Sequence, residues 1–121
     1  MKALMMTKYG DALSSLEVQE VSTPKVGDNQ ILIKVHSASF NPFDYKLLRG
    51  DFKAMGKIQF PEGIGKDVSG VVEKVGKKVK TFKAGDKVYS RIDESFAGTM
   101  AEYVISNASD SANIPSNLSH E

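Results

Sequence analysis

The run Asn41-Pro42-Phe43-Asp44-Tyr45-Lys46 gathers an amide, a carboxylate, a phenol and an ammonium within a few residues. Such groups can orient a small polar ligand by hydrogen bonds. Asn41 has two uses that need the same residue type: capping a following helix, or bonding a ligand. Tyr45 can line a pocket or donate a proton, or pack as a rigid aromatic. Asp44 suits the first turn of a helix, where the dipole favours an acid, so it orders the motif rather than acting as an acid catalyst. There is no cysteine, which excludes disulfides, cysteine-based zinc sites and a thiol nucleophile. His36 and His120 are the two imidazoles, and a lone strand histidine reads as a surface or packed residue rather than a metal ligand.

These residues need a strand and a helix to hold them. Ile31-Leu32-Ile33-Lys34-Val35-His36-Ser37-Ala38 is β-branched and mostly alternating, which predicts a strand from Gln30 that delivers the chain to Asn41. Proline has no N–H for a strand ladder, so Asn41-Pro42 ends the strand and opens a helix with Pro42 in its first position. Phe43, Leu47 and Leu48 recur at helical spacing and Gly50 closes the element, predicting a helix over Pro42 to Arg49. The stretch from Asp51 to Pro61 has no periodicity. Phe52, Met55 and Phe60 there read as a loop folded over something apolar, a pocket wall.

Around this centre the chain predicts short strands. Lys2 to Thr7 is one, turned by Tyr9-Gly10-Asp11. Leu16 to Val21 alternates, predicting one face on the core and one in water. Gly63, Gly65, Gly70 and Gly76 surround a further strand and call for tight turns and close backbone approach. Thr81 to Asp86 is a turn into a strand at Lys87 to Ile92, and Thr99 to Ser106 is another strand. Lys74, Lys77, Lys78, Lys80 and Lys83 interleave with Val75-Gly76 and Val79, as expected of a solvated sheet edge in a hairpin. The pattern is a mainly β barrel or sandwich with brief helices.

At 121 residues the chain makes one domain, too small to hold a catalytic and a complete nucleotide-binding domain together. With 40% hydrophobic and 26% charged residues and a mean hydropathy of −0.27, the composition is that of a globular protein without a membrane-spanning run. A net charge of +1 gives no field for nucleic acid or acidic lipid. The first residues are too soon interrupted by Lys8-Tyr9-Gly10-Asp11 for a signal peptide, so a cytoplasmic protein is expected. Ser119 and Glu121 read as a helix start on which the chain stops, the mark of a fragment or of a frayed natural terminus.

Four stretches together resemble one family: Gln30 to Ala38, Asn41 to Lys46 with Arg49-Gly50, Pro61 to Gly76, and Gly85-Asp86-Lys87-Val88-Tyr89. The chain is similar to the amino-terminal, GroES-like catalytic domain of medium-chain dehydrogenase/reductases, in the zinc-independent quinone oxidoreductase and 2-alkenal (enone) reductase branch. The resemblance implies a GroES-like distorted β-barrel over residues 1–121 that, in full-length members, packs against a Rossmann domain holding NADPH. No G-x-G-x-x-G opens a helix in this chain, so the Rossmann domain is expected to be missing. Gly65-Lys66 is not a P-loop either, since Phe60 and Asp67 stand where glycine and serine or threonine are required.

The same resemblance suggests roles. Zinc-dependent members carry a cysteine, a histidine and an acid where this chain has Asn41, Lys66 and Asp67, and an amide with a cation cannot form that open site. No metal is expected. Lys46 corresponds to a lysine associated with the nicotinamide ribose and the substrate carbonyl, so Lys46 and Tyr45 are the catalytic candidates. Asn41 and Lys46 are the cofactor-binding candidates, and Phe43, Phe52 and Lys66 the substrate pocket. The implied activity is NADPH-dependent hydride transfer to a quinone or an α,β-unsaturated carbonyl, by a homodimer when full-length, with neither nucleic acid nor membrane as partner and the isolated piece inactive. The other reading is a stand-alone GroES-like binding or structural module without catalysis.

Overall fold

The computed structural model describes residues 1–92 and 98–121. Its elements run β1 (Lys2–Met6), α1 (Ala12–Ser15), β2 (Leu16–Glu20), β3 (Gln30–Ser39), α2 (Pro42–Arg49), a 3-10 turn (Lys53–Met55), β4 (Glu62–Gly63), β5 (Asp67–Val75), β6 (Lys87–Arg91), β7 (Tyr103–Asn107), a second 3-10 turn (Ala108–Asp110) and β8 (Ser111–Asn113). The strands form a three-stranded sheet ordered β2-β1-β4 and a five-stranded sheet ordered β7-β3-β5-β6-β8. Every pairing is antiparallel, as short connections dictate. Residues 100–102 tie the sheets together: Leu4 N–H donates to Met100 O (2.8 Å), Glu102 N–H to Lys2 O (3.1 Å) and Val35 N–H to Glu102 O (2.9 Å). The fold is mainly β with few helices, as expected.

The core lies inside the larger sheet, where Ile31 and Ile33 of β3 meet Val68 and Val72 of β5, Val88 of β6 and Val104 of β7. Branched side chains fill a pleated surface well, and each fully buried one contributes about 1.5–3 kcal/mol of transfer free energy. β3 is the centre of this arrangement, paired on both sides, and its pairing with β5 shifts register between Leu32 and Ile33 and between Val35 and Ser37. Gly70 of β5 lies so close to β3 that an added Cβ would sit 2.1 Å from Lys34 O. A side chain there would force the strands apart.

Several sequence-based expectations need correction. Val18 is 65% exposed and Leu16 only half-buried, so β2 gives the core little of its apolar face; among the described residues it is an edge strand paired with β1 alone. The lysine group does not border a sheet edge, because β5 is paired by both β3 and β6. Lys74 is on β5, and Lys77, Lys78, Lys80 and Lys83 are exposed in the connection to β6, with Lys77 near Asp28 (3.8 Å) and Lys83 near Asp86 (3.3 Å). The strand expected from Thr99 begins at Tyr103, since the residues before it bond to β1. α1 and β8 have no strong secondary-structure pattern in the sequence. Among the described residues no helix is long and apolar enough to cross a membrane.

Candidate active site

The junction between β3 and α2 forms as its residue types require. Asn41 is extended (φ −110°, ψ 166°) as the N-cap, Pro42 is in the first turn, and Gly50 closes the helix in the left-handed region at φ 87°. Asn41 and Asp44 make a capping box, in which Asp44 Oδ2 accepts the Asn41 backbone N–H at 2.7 Å. Asp44 is 1% exposed, so its role is to order the helix start. The Asn41 amide nitrogen donates to Asp67 Oδ2 (2.6 Å) and to Ser39 Oγ (3.3 Å). An ionised carboxylate only accepts, so Asp67 determines which way the Asn41 amide faces. That partnership crosses from α2 to β5 and had no local signature in the sequence.

The Asp51 to Pro61 segment is the pocket wall its composition suggested. Phe52 stacks on Phe43 with ring centroids 5.4 Å apart and planes at 25°. Tyr9 pins the far end: its hydroxyl accepts Ile58 N–H (3.0 Å), its ring meets Phe60 edge-on at 5.0 Å, and Lys53 Nζ lies 4.4 Å from its centroid. Between this wall, α2 and the segment from β4 to Lys66 is a cavity of about 620 Å³ whose lining includes Phe43, Leu47, Phe52, Met55, Ile64 and Lys66. Ligand sites of this kind are mostly apolar with a few placed polar groups. Lys66, at 8% exposure, is such a group, with Asp44, Glu62 and Lys57 also on the lining.

The structure therefore brings Phe43, Phe52 and Lys66 together and places Tyr45 and Lys46 elsewhere. Tyr45 is 42% exposed, with the Arg49 guanidinium 5.3 Å from its ring centroid. Lys46 is exposed on the same outer side of α2. The histidines, read separately from the sequence, stack at 4.3 Å with planes at 19°. Burial, then the charges of His36 and Lys87, hold His120 below its ordinary value of 6.5. Among the described residues no cluster of His, Cys, Asp or Glu is able to hold a metal ion.

A mainly β domain with two sheets, a strand–Asn-Pro–helix junction and an apolar cavity beside it defines a class, and the comparisons name it. The alcohol dehydrogenase GroES-like domain matches residues 27–116, and the chain belongs to this family. It is 39% identical to the 2-methylene-furan-3-one reductase of Solanum lycopersicum, over 98% of this chain and 32% of that protein. It is 38% identical to the chloroplastic NADPH-dependent alkenal/one oxidoreductase of Arabidopsis thaliana, over 85% of this chain and 28% of that protein. The quinone oxidoreductase of Coxiella burnetii superposes with a TM-score of 0.88 at 33% identity, covering 99% of this chain and 38% of the other. The resemblance to the quinone and alkenal reductase branch is thus borne out. The chain spans about a third of the length of the curated relatives it matches.

Proposed function

We propose that this chain is the substrate-binding half of an NADPH-dependent oxidoreductase that transfers hydride to a quinone or an α,β-unsaturated carbonyl without zinc. The observation that carries the reading is the cavity between α2 and the segment from β4 to Lys66, lined by stacked Phe43 and Phe52 with buried Lys66. It suits a small, flat, conjugated acceptor, and the family's relatives are by name quinone and alkenal/one oxidoreductases.

The described residues fit only the reactive end of a dinucleotide. Their left-handed glycines, Gly10, Gly50, Gly56, Gly65, Gly85 and Gly98, do not open a helix long enough to cradle a pyrophosphate, α2 beginning instead at Asn41-Pro42. When bound, the cofactor supplies the hydride. Asn41, Tyr45 and Lys46 are the proposed groups that meet its nicotinamide end, because they lie on or beside the open face of α2. A Rossmann domain outside these 121 residues would hold the rest and carry the dimer contact. The zinc-free reading draws support from the donor set: Asn41 is engaged with Asp67, and Lys66 is an ammonium, which is no metal ligand.

The test is NADPH oxidation by the full-length protein with a quinone, an enone and a simple ketone, each with and without chelator. Turnover of quinone or enone that survives chelation is expected; turnover confined to the ketone and abolished by chelation defeats the reading. A Lys46→Ala variant is expected to lose turnover, and full turnover would remove that residue from the mechanism. The 121-residue chain alone is expected to oxidise no NADPH. Measurable turnover by the chain alone would contradict the division into two domains, whereas a reading frame that stops after Glu121 would favour the stand-alone module.

A further inference from the structure

We infer that Lys66 is the group that receives the negative charge developing on the substrate's oxygen, leaving Lys46 to the cofactor side; this rests on the reductase reading above. Both lysines were candidates in the sequence, and their surroundings separate them. Lys46 is exposed on the outer face of α2, so the charge and hydrogen bonds it offers face the side proposed above for the cofactor and not the cavity. Lys66 is 8% exposed and lines the cavity of about 620 Å³, where the lower dielectric strengthens the same interaction several-fold.

The position of Lys66 is also fixed. Gly65 before it is left-handed at φ 99°, and a Cβ there would lie 2.2 Å from Thr99 Oγ1, so the backbone approach is possible only for glycine. Lys66 O accepts Ile92 N–H at 2.8 Å, and β5 begins at the next residue. A charge held by a rigid strand start needs little reorganisation when an oxyanion appears. An ammonium has three donors, so it can serve a protein partner and a ligand oxygen together. Phe43 and Phe52 supply the flat wall against which a conjugated ring or enone would lie.

The chemistry balances without further groups. Hydride, two electrons and one proton from the dihydronicotinamide, adds to the β-carbon of an enone. The carbon–carbon π pair shifts toward the carbonyl, whose oxygen becomes an enolate anion. Lys66 donates a hydrogen bond to that oxygen and keeps its proton; the α-carbon then takes a proton from water. With a quinone, hydride addition gives the hydroquinone monoanion, held by the same contact until water protonates it.

The test uses the 121-residue chain and 4-nitrophenol, whose absorbance reports ionisation and whose phenolate imitates a flat conjugated oxyanion. The chain is expected to bind the phenolate and to lower the phenol's apparent pKa on binding. Lys66→Met should weaken phenolate binding about 10- to 100-fold, the worth of one hydrogen bond to a charged group, and abolish the pKa shift. Lys66→Arg should retain most of both. Lys77→Met, which removes an exposed cation outside the cavity, should change neither. Thermal melting establishes that each variant is folded, and Lys66→Arg against Lys66→Gln decides the question if Lys66→Met does not fold. Unchanged phenolate binding in folded Lys66→Met or Lys66→Gln, or an equal loss in Lys77→Met, overturns the proposal. In the full-length protein, undiminished enone turnover by Lys66→Met overturns it alone, whereas a wild type that oxidises no NADPH overturns the reductase reading and leaves the phenolate titration to decide Lys66.

Discussion

The two faces of α2 were equally prominent in the sequence and have opposite fates in the fold. Toward the protein it presents Asp44 and Leu48, each 1% exposed, with Phe43 and Leu47 on the cavity. Toward water it presents Tyr45, Lys46 and Arg49, all exposed, with Arg49 paired to Asp51 at 2.5 Å. The inner face is fixed by packing and hydrogen bonds, so its residues are stability residues that also shape a pocket. The outer face has almost no structural duty among the described residues.

That contrast is open to direct attack. Leu48→Ala on the inner face should cost the most, about 2–5 kcal/mol by chemical denaturation, because a buried side chain leaves a cavity. A loss below 1 kcal/mol would mean that the helix is not anchored by this face. Asp44→Ala should follow at about 1–2 kcal/mol, the usual worth of a helix-start bond, visible as a lower melting temperature. Gly50→Ala should cost about 1 kcal/mol, since alanine resists the left-handed conformation; the Lys53 side chain a new Cβ would meet at 2.5 Å is free to move. Arg49→Ala on the outer face should leave the unfolding midpoint where it is, as expected of an exposed ion pair.

A pH-dependent effect comes from the stack of His120 on His36 of β3. Burial lowers His120 below its ordinary 6.5, so the unfolded chain binds the proton more readily. Stability should therefore be unaffected above the unfolded value and fall as the pH drops through about 6.5 toward the lower folded value. His120→Phe, which keeps a ring against His36 but cannot titrate, should flatten that slope in a series of urea melts. An unchanged slope would assign it to other groups.

Much of this was legible in the residues. The span of α2, Asn41 as its cap, Pro42 at its start and Gly50 at its end were read correctly because each depends on local backbone chemistry. β3 and β6 were legible for the same reason: branched residues beside turn residues. Reading failed where partners decide. Val18 alternates like a core residue yet lies on an uncovered edge. The strand expected from Thr99 gives its first residues to β1, and β8 is a strand only because β6 is beside it.

The candidate site divides along the same line. The sequence alone determined which groups were available, Asn41, Tyr45, Lys46, Phe43, Phe52 and Lys66, and which chemistry was excluded by the absence of cysteine. Composition and local propensity need no partner to act. Only the tertiary structure decided the company each group keeps: Asn41 with Asp67 across 26 positions, Tyr9 with Ile58 across 49, and Lys66 in the cavity while Lys46 is on the outer face of α2. Those outcomes depend on contacts between distant strands, and the electrostatic worth of a lysine is set by the burial such contacts create.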